Sequence, residues 1–123
     1  MALYRLVIEG TGIRTRKGET GFFTTRTVKQ VSRDAAEIYA LRVLREEWRH
    51  GVSAKLSPTK PQVRVIDCWR VGLRERLRRI PDTWHRFYEA GGRAEAARIE
   101  AAHADAPREA AIHAVAATAA PVE

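Results

Sequence analysis

The sequence predicts a small α+β domain of two layers, a β-hairpin–helix–strand core in β-β-α-β order with one long helix on the sheet. Short helices and an alanine-rich C-terminal helix or tail follow. Three observations predict this. Residues 3–9, 22–31 and 62–71 are runs of β-branched, aromatic and alternating apolar residues, the pattern of half-buried strands. Residues 32–50 carry apolar side chains at three- and four-residue spacing with no proline, the pattern of an amphipathic helix. The 123 residues, 45% hydrophobic and 30% charged, suit one globular core.

The first strand places Tyr4, Leu6 and Ile8 on one face and Arg5, Val7 and Glu9 on the other, because side chains alternate along an extended chain. Residues 10–21 hold four glycines and the basic side chains Arg14, Arg16 and Lys17, and read as a long hairpin tip before the second strand. Ser32 is a helix N-cap, and Asp34 and Glu37 sit where the helix dipole favours anions. Ile38, Leu41, Leu44 and Trp48 form the expected buried stripe, and Gly51 follows the basic last turn.

Residues 52–61, with two prolines and two serines, read as a surface loop. The third strand sets Val63, Val65 and Trp69 opposite Ile66 and Cys68. Residues 73–80 are an amphipathic helix candidate with Leu73, Leu77 and Ile80 on the core side, ended by Pro81. Asp82 or Thr83 then caps a short helical turn carrying Trp84, Phe87 and Tyr88. Residues 1–91 form the expected domain. Residues 92–123 are the alanine-rich tail, with Ile99 its one bulky side chain before Pro107, too little apolar surface to dock firmly.

Charge divides along the same boundary. Residues 1–92 hold 19 Lys and Arg against 10 Asp and Glu, and residues 93–123 hold 3 against 5. A basic body points to a polyanionic partner, nucleic acid or an acidic protein surface. Arginine far outnumbers lysine beside abundant alanine, the bias a GC-rich genome imposes, which discounts part of the signal. Two clusters stand out, the hairpin tip and the Arg74, Arg76, Arg78, Arg79 ridge. Arg74 and Arg78 share one helix face. Next to the ridge, aromatics interleave with basic residues around Trp84 and Arg86, the composition that stacks bases and neutralises phosphates. The candidate binding residues are therefore Arg14, Arg16, Lys17, Arg26, Arg74, Arg78, Arg79, Trp84 and Arg86.

Catalytic signals are absent. Gly10 and Gly12 start a dinucleotide-like run, but its sixth position is Thr15 and a strand follows in place of a helix. His50, His85, His103 and His113 are scattered without metal-ligand spacing, and Cys68 is the single cysteine, so no intrachain disulfide forms. Cys68 and Asp67 fall on opposite strand faces, and Glu46 and Glu47 diverge by ~100° on a helix. No metal, cofactor or enzymatic activity is expected. The start of the chain lacks signal-peptide regions and no run approaches the ~20 apolar residues of a membrane span, so a cytoplasmic protein is expected. The expected function is polyanion binding, with a small protein–protein module, an adaptor or an inhibitor of a nucleic-acid-handling complex, as the alternative. Self-association is assigned to the tail.

Overall fold

The computed structural model describes residues 1–15, 18–50, 60–73, 76, 80–89 and 91–118. Strands β1 (Ala2–Thr15) and β2 (Gly18–Gln30) form a long antiparallel hairpin, followed by helix α1 (Arg33–His50), β3 (Gln62–Arg70), β4 (Arg86–Tyr88), α2 (Arg93–Ala104) and α3 (Ala111–Thr118). The antiparallel sheet runs β3-β1-β2-β4. The α+β class and the single long helix on the sheet are as the sequence predicts.

The hairpin is longer than predicted. Most of the stretch read as a loop, residues 10–21, is strand: β1 continues to Thr15 and β2 starts at Gly18. Its glycines serve pairing. The register shifts between Gly10 and Ile13, where Gly12 takes φ of 80°, a left-handed conformation that glycine adopts without a Cβ clash. Gly10 lies under its partner Phe22, whose ring would meet an added Cβ at 2.2 Å.

Ser32 caps α1 as expected, its Oγ accepting from Ala35 N–H at 3.1 Å. The buried stripe is rotated from the predicted one. Ala36, Ala40, Leu44 and Trp48 face the sheet, whereas Ile38 is 69% exposed. Small residues at 36 and 40 let the helix approach closely, leaving Ile38 on the outer side. Beneath lies a core of Leu6, Ile8, Ile13, Phe22, Leu44, Trp48 and Cys68.

In β3 a bulge breaks the alternation. Val7 pairs with Asp67 and Ile8 with Val65, leaving Ile66 unmatched. Val63 and Val65 therefore join Cys68 on the α1 side, and Ile66 joins Trp69 on the other, a correction to the simple odd–even assignment. The helix expected over residues 73–80 lies largely outside the described residues. Leu73 itself is 77% exposed, not on the core. Residues 86–88 correct the expected helical turn. They pair with residues 21–23 as β4, and just before them Thr83 N–H donates to Thr25 O at 3.1 Å. An unfilled edge of β2 outweighs the helical spacing of the aromatics.

The opposite sheet face carries α2 and α3. Ala96, Ala97, Ala101 and Ala104 are buried with Val7, Phe23, Ala110 and Ile112 in a second core. This overturns the expectation of a weakly docked segment. Alanines bury little area each, but allow close helix–sheet contact along a whole face.

Candidate functional site

Under α2 the sheet carries charge. Glu9 is fully buried and accepts hydrogen bonds from Arg93 (Nε 2.7 Å, Nη2 3.1 Å), Arg64 (Nη2 2.9 Å) and Tyr88 (Oη 2.5 Å). Burial alone would raise its pKa, but these donors outweigh it and hold Glu9 below the ordinary carboxylate value. Burial and the Glu9 charge push the Tyr88 phenol upward. Glu100, also fully buried, accepts from Arg86 Nε at 2.7 Å, Thr83 Oγ1 at 2.8 Å and the Thr25 hydroxyl. Arg5 donates to Ala104 O at 3.1 Å. Arg93, Glu100 and the Ala104 carbonyl join α2 to the sheet, and each buried carboxylate is met by several donors.

The other face differs. Phe22 stacks on Trp48 (centroids 5.8 Å, 9° between planes), and His85 packs edgewise on Phe22 at 4.7 Å and on Trp48 at 5.5 Å. Trp84 covers His85 at 4.6 Å and lies 5.8 Å from the Arg26 guanidinium. The cluster is buried at its centre and open at its edge, where Trp84 is 59% and Phe87 42% exposed. Burial and the nearby Arg26 charge lower the pKa of His85, against the opposing pull of Glu47, and the net shift favours the neutral imidazole.

Phe22 and Trp48 also floor a groove of about 160 Å³ whose charged lining residues are Arg45, Arg49 and Lys60. These cations were missed from the sequence, although Arg42, Arg45 and Arg49 recur at helical spacing and could have been found by that spacing. Glu46 and Glu47 lie among them, so the run does not stand out by net charge. Glu47 turns inward to pair with Arg26, which leaves the outer face more basic than its composition suggests.

Of the sequence-predicted residues, Arg14 is exposed near the hairpin tip. Arg16, Lys17, Arg74, Arg78 and Arg79 lie outside the described residues. Trp84 and Arg26 are brought together, and Arg86 reaches to the opposite face. Arg26 is engaged by Glu47 and, through Nε at 2.9 Å, by Thr24; Arg86 is engaged by Glu100. Cys68 is buried, and burial pushes its thiol up to about 11, which disfavours the thiolate. Among the described residues no group of three or more His, Cys, Asp or Glu could hold a metal, and no helix is long and apolar enough to cross a membrane. No family model, curated protein or solved structure matches the chain.

Proposed function

We propose that this chain is a non-enzymatic binding protein for a polyanion, and that the polyanion is single-stranded nucleic acid. The observation that carries the reading is the exposed Trp84, seated on His85 and over Arg26 at the open edge of an aromatic cluster. A large indole left 59% exposed on a rigid support is a platform for a base, since every base presents a π-face. Phe87 extends the platform. Arg45, Arg49 and Lys60, around the groove floored by the same cluster, supply charge for phosphates. The further cations Arg14, Arg16, Lys17, Arg74, Arg78 and Arg79 contribute to a net charge of +7. A single, buried thiol fits a reducing, cytoplasmic setting.

The test is fluorescence anisotropy of a labelled single-stranded oligonucleotide with the full chain at low and moderate salt. Binding weakens as salt rises, and Trp84→Ala weakens it roughly tenfold at fixed salt, the loss of about one stacked base. No binding at low salt overturns the proposal.

A further inference from the structure

Three cations gather at one small groove on the α1 side of the sheet. Arg45 and Arg49 are four residues apart and share one face of α1, and Lys60, just before β3, joins them there. All three side chains are exposed, so their charged heads are open to a ligand. Among the described residues no carboxylate lines the groove. Arg49 has Glu46 at 3.9 Å, but that pair lies on the surface with side chains 61% and 57% exposed. Such pairs contribute little, and this one yields to a stronger anion. Between the cations, the half-buried Pro61 and Val63 present apolar surface.

Size and charge together limit the occupant. A groove of about 160 Å³ takes roughly one ring, since an apolar cavity of ~150 Å³ holds one benzene. That suits the last nucleotide of a strand better than a strand running through. An internal phosphate carries a single charge, whereas a terminal phosphate monoester carries about −1.5 to −2 at neutral pH and offers three acceptor oxygens. Three cations around one groove match the monoester.

We propose that this groove holds the phosphorylated end of a strand, its terminal phosphate among Arg45, Arg49 and Lys60 and its last nucleoside against Pro61 and Val63. The inference rests on the nucleic-acid reading above. The guanidinium forks of Arg45 and Arg49 meet the phosphate oxygens in pairs, and Lys60 adds a point charge. One aromatic cluster links the groove to the Trp84 platform, because Trp48 of the groove and Trp84 both pack on His85. On a hydroxyl-ended strand the same cations meet internal phosphates, so binding persists at lower affinity.

The experiment compares the full chain's affinity for one internally labelled oligothymidylate carrying a phosphate at its 5′ end, at its 3′ end, or at neither. At least one phosphorylated strand binds about tenfold tighter than the hydroxyl-ended one, the gain of one further hydrogen bond to a charged group. Lys60→Ala, at an exposed position, removes most of that gain and leaves the melting temperature unchanged. Inorganic phosphate and thymidine monophosphate, added as competitors, displace the phosphorylated strand far less readily than the same strand unlabelled. Equal affinity for the three strands overturns the inference and leaves the polyanion reading standing. A preference that Lys60→Ala does not diminish overturns it too. Displacement by either small phosphate as readily as by the unlabelled strand also overturns it, and assigns the groove to a free phosphate compound. Absence of binding to every strand at low salt overturns both readings.

Discussion

Glu9 shows how a single side chain can be misjudged from its neighbours in sequence. The sequence places it only on the strand face it shares with Arg5 and Val7, next to Gly10; in the fold it has no exposed surface. Its face follows from alternation with Val7. Its burial depends on α2, which arrives 84 residues later with Arg93, so no local signal could reveal it. Truncation to Glu9→Ala leaves Arg93 and Tyr88 without their acceptor and opens a void, at a cost of about 3 kcal/mol in urea unfolding, the lower end for breaking a buried pair. The figure is low because Arg64 and Arg93, 63% and 32% exposed, still reach water. The pH dependence has a fixed sign. Glu9 is lowered from 4.5 in the fold, so its contribution is complete above that value and is lost as pH falls through the lowered one. Urea midpoints measured across this acid range converge for wild type and Glu9→Ala. A constant gap between them contradicts the assignment.

Elements were most legible where local chemistry decides alone. Ser32, Asp34 and an unbroken helical pattern set α1, and alternation set the hairpin. The errors arose where tertiary contact overrides local pattern. The helical spacing of Trp84, Phe87 and Tyr88 yields to the open edge of β2, and the bulge at Ile66 reverses one side of β3. The alanine-rich segment fails for a different reason. Counting bulky residues measures buried area, but α2 is held by fit: Ala97 and Ala104 have no exposed surface, and ion pairs anchor it at Arg93, to Glu9, and at Glu100, to Arg86. A helix packed this closely tolerates no growth. Ala97→Leu costs about 1–3 kcal/mol through overpacking, whereas Ile99→Ala, at a position 43% exposed, stays within about 0.5 kcal/mol. Thermal melting of the two variants distinguishes a tightly docked α2 from a loosely held one. Equal melting temperatures would contradict the packing.

Over the whole molecule, net charge overstates the cations available to a partner. The basic excess was legible from composition, but its distribution was not, because pairing is settled by which acids the fold buries. Arg64 and Arg93 serve Glu9, Arg86 serves Glu100, and Arg26 serves Glu47, while Arg5 is bound to α2. Their charge is bound up in holding the layers together. Arg45 and Lys60 stand at the groove without a carboxylate among its described lining residues, and Arg49 pairs with the exposed Glu46 at 3.9 Å. The proposed interface therefore makes a quantitative demand on salt dependence. Each phosphate contact to a single strand contributes about 0.7 to the slope of log affinity against log salt. The double variant Arg45→Ala/Arg49→Ala should lower that slope by about 1.4 if each residue meets one phosphate, with little change in melting temperature because both side chains are exposed. Arg98→Ala, exposed on α2 across the sheet, leaves the slope unchanged. An equal fall in both variants would mean that binding follows overall charge and that the aromatic face has no special part in it.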